Sequence, residues 1–582
     1  FKKADYHNLN TFYHQVNWIE LYETDTVENK VKWFYSKLEE GISRYVPVHR
    51  KFVSTYPCWF SYELINKIKL KKSAHSQYKK MKNQQNYTRF SILRRDCKIL
   101  SAEYYRNYVD KIENMVQTDT NAFWKFIKDK KHNNTDIPSS MSWINQSAST
   151  GQDISNLFAS FFKTTFSSDL NSNHHINANA NILKANLNSL EVDYDDVLKQ
   201  LLKLNPNKGA GPDGIPNIFL KNCATEICEP LTHIFNKSLQ SGTFPSVWKL
   251  SYVCPIHKNG QRSEVSNYRP ICIQSALAKL FEKLVLTQLT QAFKNIITKK
   301  QHGFVGGRST TSNLYSYSNY LLNALNDGLK VHSIYTDFSK AFDRVNHTIL
   351  IAKLNNYGVE GTALEWLHSY LADRFLQVRV DGYLSEEYET TSGVPQGSHL
   401  GPLLFNIFIN DIVNNIQSEC LLYAYDLKIY RTISNDSDIQ LLQKDIDMLS
   451  TWCTNNKLDL NAKKCAAVSY SRAHNNIITS YKLNGQNLPE VSDVKDLGIL
   501  IDNKLTFEKH IDKISLQAFK VLGLITRTGR DFRNPYSLLS LYRSLVLPIL
   551  VRYYGTVIWS PYTDTLINRV ERVQNKFCKS LS

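Results

Sequence analysis

The stretch Cys420 to Tyr430, reading Cys-Leu-Leu-Tyr-Ala-Tyr-Asp-Leu-Lys-Ile-Tyr, constrains this chain more than any other: two short apolar runs with an acidic break between them. That pattern predicts a β-hairpin with Asp426 at its tip. Alone, an aspartate in a turn needs no role beyond satisfying local backbone donors. A second run, Ser333-Ile334-Tyr335, ends in a carboxylate, Asp337, and predicts a strand followed by a helix that runs through Asn346 to Tyr357 and stops at Gly358. Two strand-end carboxylates can converge on one cation, and an isolated turn residue cannot.

Three groups of residues then stand in a fixed order. Asp337 with Ala341-Phe342-Asp343 comes first. Ser392-Gly393-Val394-Pro395-Gln396-Gly397-Ser398 with Leu400-Gly401-Pro402-Leu403-Leu404-Phe405 follows, and the Tyr-Ala-x-Asp hairpin closes the series. In this order they resemble the palm motifs of a reverse transcriptase, in the form found in non-LTR (LINE-type, jockey-like) retrotransposons. The resemblance covers roughly residues 190 to 510. It implies an α+β right-hand polymerase of fingers, palm and thumb with an antiparallel palm sheet. It also implies RNA-directed DNA synthesis on an RNA template from a DNA primer or target, with deoxynucleoside triphosphates as substrates. The implied cofactor is a pair of Mg²⁺ (or Mn²⁺) ions, with no small-molecule cofactor.

The same resemblance distributes roles. Asp337 and Asp426 would hold the metals, helped by the backbone carbonyl of Phe338. Lys258, in Tyr252 to Lys258, and Arg269, in Asn267-Tyr268-Arg269-Pro270-Ile271, would approach the triphosphate, as a point charge and a bidentate fork suited to phosphate oxygens. Lys464, in Asn461-Ala462-Lys463-Lys464-Cys465, would lie near the triphosphate as well. Phe342 matches the bulky position that excludes a ribose 2′-hydroxyl; the plainer reading is a core phenylalanine. Gln396 and Gly397 would shape a backbone lying close to a base or sugar, and Leu497 and Gly498 match the hairpin that grips the primer. Gln301 to Thr311 matches a further signature loosely, at His302, Val305 and Gly306.

One departure outweighs any match. The family carries two consecutive aspartates in the hairpin, and here the first is Tyr425. A phenol is neutral at physiological pH and adds bulk where an anionic ligand is needed. Successive strand residues point to opposite faces, so Asp426 cannot take over that place. The sequence therefore leaves two readings: a reverse transcriptase whose activity is impaired in this copy, or a catalytically dead nucleic-acid-binding protein with a polymerase fold.

At 582 residues, 42% hydrophobic and 12% aromatic, the chain exceeds one core and can fill several. Its net charge of +17 favours a polyanionic partner or an anionic surface, and charge alone does not choose between them. Ten cysteines are scattered without a CxxC unit, which points to a reduced, intracellular protein; nucleus and cytoplasm are what the family adds. No apolar run reaches membrane-span length, since Leu545 to Val551 lies between Arg543 and Arg552 and contains Pro548, so no membrane partner is expected. Phe1 in place of an initiator methionine suggests a fragment of a longer frame, without the endonuclease domain that precedes the polymerase in the family.

The expected organisation is a basic helical region over 1–166, an Asn/Ser-rich linker over 167–189, fingers and palm over 190–505, and a helical thumb over 506–582. Within the first region, residues 51–100 hold twelve Lys and Arg against Glu63 and Asp96, with Tyr62, Tyr78, Tyr87 and Phe90 interleaved. This is either a solvated helical face or a nucleic-acid surface with rings for stacking; residues 1–166 alone also fit a structural or protein-interaction module. In the linker, His174-His175 lacks the Cys or Asp partners of a metal site. In the thumb, Leu566, Val570, Val573 and Phe577 predict one buried face, with Arg569, Arg572, Lys576 and Lys579 outward.

Overall fold

The computed structural model describes residues 1–48, 56–130, 137–167, 183–472, 480–551 and 555–581. Most of the expected linker, with His174-His175, lies outside them, as do Lys51 and Arg552-Tyr553-Tyr554. The chain forms two compact units. The first takes residues 1–48 and 135–492, the second 49–134 and 493–582. The expected 1–166 region is thus shared between the units, and the break expected at 505 falls at 492/493. Charge and helical periodicity, on which those boundaries rested, do not record which helices pack together.

In the first unit, β1 (Met141–Trp143) and β2 (Gln146–Ala148) make a small hairpin where only helix was expected. Then follow β3 (Leu250–His257), β4 (Tyr268–Ile273), β5 (Lys330–Thr336), β6 (Arg374–Val380), β7 (Tyr383–Leu384), β8 (Tyr388–Thr390), β9 (Glu419–Tyr423), β10 (Asp426–Ile433) and β11 (Ala466–Tyr470). One sheet runs β4-β3-β6-β7, with β8 on β6, and its β3–β6 pair is parallel. The other is antiparallel, in the order β11-β5-β10-β9. The first sheet packs against the helix Gly151–Lys163, whose Phe158 and Phe162 share a core with Val253 and Val378. The α+β class expected from the sequence is the class observed.

Strand β5 sits inside the second sheet and is buried on both faces. Ile334 joins a core with Ile429, Ala467 and Phe338. On the opposite face, Ser333 accepts from Tyr317 Oη at 2.8 Å, and Tyr335 Oη meets Tyr317 Oη and Tyr470 Oη at 3.0 and 3.1 Å. A turn stands between Asp337 and the expected helix, which is observed at His347–Asn356 and ends before Gly358 at φ 82°. Lys340 adopts the left-handed region (φ 50°) and its carbonyl accepts from the N–H of Asp343 and Arg344, closing a turn. The helix starts only at His347, where Asn346 Oδ1 caps it.

A second anchor is Glu282, fully buried on the helix Ala276–Phe293. It accepts from Gln274 Nε2 (2.6 Å), Tyr370 Oη (3.0 Å) and the N–H of His399 (2.7 Å). Three partners satisfy a carboxylate that would be costly to bury alone.

The segment Lys300–Gly303 is laced to the β9–β10 hairpin. Leu422 exchanges backbone hydrogen bonds with Lys300 and His302, and the Gln301 side chain bonds both N–H and carbonyl of Ala424. A Cβ on Gly303 would stand 2.2 Å from the Ala424 nitrogen.

In the second unit, the basic block forms an antiparallel pair of helices, Tyr62–Lys80 and Gln84–Thr118. His75 stacks on Phe90 (4.7 Å) and Tyr78 meets Tyr87 (5.4 Å). These rings, expected to be free for stacking with bases, are in part the seam between the helices. The C-terminal segment closes on this pair: Tyr105 Oη donates to Asp531 (2.7 Å), Ser537 Oγ to the Glu113 carbonyl (2.9 Å), and Phe126 packs on Phe532. In the last helix, Asp564–Leu581, Leu566, Val573 and Phe577 are buried as expected and Val570 is half-buried. Arg569 differs, pairing with Asp512 and Glu508 at 2.6 and 3.1 Å. Among the described residues no helix is long and apolar enough to cross a membrane.

Because the neighbour of Gly303 is backbone and cannot swing aside, Gly303→Ala should cost about 1–3 kcal/mol. Urea unfolding of the two proteins, compared at equal slope, measures it.

Candidate active site

Register alone assembles the strand ends. Leu427 pairs with Thr336, so one step further Asp426 stands across from Asp337. Ala466 pairs with Tyr335 on the other edge of β5, and two steps back along the chain Lys464 reaches Asp337 from that side. Lys464 Nζ lies 2.8 Å from Asp337 Oδ2. Loop bonds hold the arrangement: the Asn461 N–H donates to the Asp337 carbonyl (2.7 Å), the Ser339 N–H to the Asp459 carbonyl (2.9 Å), and Arg344 pairs with Asp459 at 2.5 Å.

The hairpin turn differs in detail from expectation. Its two turn residues are Ala424, at φ 56°, and Tyr425, and Asp426 is the first residue of β10. Asp426 is exposed, whereas Tyr425 is half-buried. The Tyr425 ring meets the edges of Phe342 (6.0 Å) and Phe405 (6.4 Å), and Phe342 lies flat on Phe405 at 4.8 Å. Burial raises the Tyr425 phenol further above its ordinary pKa; Asp426 and Asp337 add to this, while Arg269 and Lys464 oppose it. The phenol therefore stays protonated among two carboxylates and two cations.

Two of those cations come with a third. Arg269 is on β4 and Lys258 directly follows β3, where Ile256 pairs with Arg269 and the Lys258 N–H donates to the Asn267 carbonyl. The Lys258 ammonium is lowered in pKa by burial and by the charges of Arg269 and Lys464, against the pull of Asp337. Lys258, Arg269, Lys464, Asp337, Asp426 and Tyr425 thus form one electrostatic neighbourhood. Phe338 lies beside it, bridged to Leu460.

Gln396 and Gly397 belong to the same unit. The Gln396 carbonyl accepts from the Cys272 N–H (3.0 Å), and Gly397, at φ 104°, lets the Cys272 carbonyl approach where a Cβ would stand 2.9 Å away. The side-chain amide of Gln396 donates to Asp343 Oδ1 at 2.7 Å. Asp343 is 7% exposed, and burial pushes its carboxyl up to about 6. Leu497 and Gly498, both at positive φ, form the two-residue turn between the strands Asp493–Asp496 and Ile499–Asp502 of the second unit.

Sequence reasoning missed two features. Asp343 was legible only as a motif letter, because nothing local announces its bond to a glutamine 53 residues away. A cleft of about 620 Å³ beside Gly397 and His399 is lined by Lys203, Lys208, Lys279, Lys283 and Arg379 without a carboxylate. The one available signal was the i, i+4 spacing of Lys279 and Lys283 on a helix.

Oxygen donors of the kind present, Asp337 and Asp426, suit a hard divalent ion. Among the described residues no group of three or more His, Cys, Asp or Glu could hold a metal. The two carboxylates stand at neighbouring strand ends, and the phenol of Tyr425 lies within the electrostatic reach of both.

Residues 256–525 match the reverse transcriptase (RNA-dependent DNA polymerase) family. This match, with the relatives below, supports a jockey-like, non-LTR reverse transcriptase. It is 30% identical over 411 residues to the RNA-directed DNA polymerase from mobile element jockey of Drosophila melanogaster, which covers 67% of this chain and 44% of that protein. The Drosophila funebris protein of the same description is 25% identical over 585 residues, 96% of this chain and 63% of the relative. The probable RNA-directed DNA polymerase from transposon BS of Drosophila melanogaster is 29% identical over 416 residues, 67% of this chain and 44% of that protein. The chain thus spans about half the length of these relatives. Reverse transcriptases generally use divalent metal ions.

A buried carboxyl with a raised pKa has a definite sign in this reverse transcriptase domain. The folded state holds the Asp343 proton more tightly than the unfolded chain, so its contribution is full below about pH 4 and is lost as pH rises through about 6. Asp343→Asn should remove a pH dependence on the order of 3 kcal/mol between those limits. Chemical unfolding at pH 4, 5, 6 and 7 checks this; parallel curves for both proteins would contradict it.

Proposed function

We propose that the chain is the polymerase portion of a non-LTR retrotransposon protein. It extends a DNA primer or nicked target along an RNA template with deoxynucleoside triphosphates, inside the cell in nucleus and cytoplasm. The observation that carries this reading is the register of β11, β5 and β10, which sets Lys464, Asp337 and Asp426 side by side at one end of the sheet. On this reading the expected segments 190–505 and 506–582 act as fingers with palm, and thumb.

The side chains divide the work by charge. Asp337 and Asp426, with the Phe338 carbonyl, are the donors for two Mg²⁺ or Mn²⁺ ions, which when bound supply activation of the primer hydroxyl and neutralisation of the triphosphate. Lys258, Arg269 and Lys464 are placed to take phosphate oxygens. Phe342 would exclude a ribose 2′-hydroxyl, and Gln396, bonded to Asp343, shapes the adjoining loop. Leu497 and Gly498 form the turn that would hold the primer end. The cation-lined cleft gives a strand of nucleic acid a further set of phosphate contacts.

Tyr425 favours an impaired copy. The missing ligand should cost on the order of 4 kcal/mol, roughly a thousandfold in rate. Primer extension on a primed RNA template should be near background for the unmodified chain, restored by Tyr425→Asp, and abolished again by Asp337→Asn in the restored protein. Robust synthesis by the unmodified chain overturns the impairment. Failure of Tyr425→Asp to rescue favours the second reading, a polymerase fold kept only for binding.

Both readings require a polyanion. Affinity for a primed RNA template should fall at least tenfold as salt rises from about 50 to 200 mM, because phosphate contacts release counterions. Salt-independent binding in a polarisation titration would remove nucleic acid as the partner.

A further inference from the structure

The backbone at Phe304 has no local reason to be where it is. Its φ is 58°, in the left-handed region that disfavours any residue with a Cβ. Glycine would relieve the strain, and glycines stand close by at 303, 306 and 307. Nor does burial offset it, since Phe304 is 59% exposed.

What the conformation achieves is direction. Gly303 is fixed on both sides: its N–H donates to Gln301 Oε1 (2.8 Å), and its carbonyl accepts from Asn406 Nδ2 (2.8 Å). That segment is bonded through Gln301 to Ala424, the turn residue before Tyr425. From there the Phe304 ring reaches the edge of Phe342 at 6.3 Å and 79°, and Phe342 in turn adjoins Tyr425 and Phe405. A rigid mount, a strained residue and an aromatic ring left in solvent coincide one ring, Phe342, away from Tyr425, the neighbour of Asp426. Cations nearby are already suited to phosphate, so the uncharged flat face of Phe304 calls for a different part of the same ligand.

We propose that Phe304 is a nucleoside-contacting residue, its open ring face packing against the base or sugar of a nucleotide held at the Asp337–Asp426 strand ends, beside Phe342. This rests on the polymerase reading above and adds to it a residue that none of the sequence motifs assigned. The nucleoside can come from the incoming triphosphate or from the terminal pair of the primer and template. Both present the same flat, uncharged face, and every base has one.

The test uses the full chain, unmodified and as Phe304→Gly and Phe304→Trp. Binding of a fluorescent primed RNA template is followed by polarisation, with and without the complementary deoxynucleoside triphosphate, and thermal unfolding is measured alongside. Glycine removes the ring and the strain together, so Phe304→Gly should unfold at or above the temperature of the unmodified chain while binding about tenfold more weakly. Phe304→Trp should stay within about twofold. Weakening only when the triphosphate is present assigns the contact to the incoming nucleotide; weakening in both arms assigns it to the duplex end. Unchanged affinity in both arms overturns the proposal while leaving the polymerase reading in place. So does a fall of several degrees in unfolding temperature for Phe304→Gly, which would make the ring a packing element. An unmodified chain that binds no primed template overturns both.

Discussion

The hydrogen-bond register of β5 against its two neighbours is the constraint from which the site follows. A slip of one residue would turn Ile334 and Phe338 out of the apolar core and the hydroxyls of Ser333 and Tyr335 out of their tyrosine network. Because both faces of β5 are buried, packing fixes the register without help from any residue that does chemistry. Asp337, Asp426 and Lys464 are therefore delivered to one place by side chains several residues away. This is why a tyrosine at position 425 coexists with an intact sheet: the turn inherits its position, and its ring finds edge contacts with Phe342 and Phe405.

The charge at the strand ends is correspondingly lopsided. Lys258, Arg269 and Lys464 face two carboxylates. A second aspartate in the hairpin would bring the count to parity. With the phenol there instead, the neighbourhood attracts phosphate more strongly and cations less strongly than a complete site would. On the proposed reading, substrate affinity and chemistry are separable in this chain, since the groups suited to phosphate remain while one group suited to metal is replaced by a phenol.

Much of this was legible in the sequence, for reasons that can be named. Strand β10 and its carboxylate could be read because two short apolar runs around an acidic break favour a hairpin. What could not be read were consequences of distance. The turn after Asp337 hangs on the left-handed backbone of Lys340, a residue type that does not advertise one. The parallel pairing of β3 with β6 joins segments more than a hundred residues apart. Arg569 was placed outward by helical periodicity, which locates a side chain on its own helix but does not see Asp512 arriving from another. Phe304 was passed over because a phenylalanine next to a glycine carries no mark of its φ.

The division of the second unit between 49–134 and 493–582 has a consequence for the order in which the protein comes into being. During synthesis the two basic helices emerge early, yet the residues that close on them, Asp531, Phe532 and Ser537, follow some four hundred residues later. At the pace of a ribosome, roughly 5–20 residues per second, the early half waits tens of seconds, long after its helices can form. For that interval Phe126 and the Glu113 backbone lack their native cover, while residues 135–492 of the first unit are made in between. The nascent chain thus presents a strongly basic pair of helices before the segment that covers them has been made, and any polyanion at hand meets those helices first.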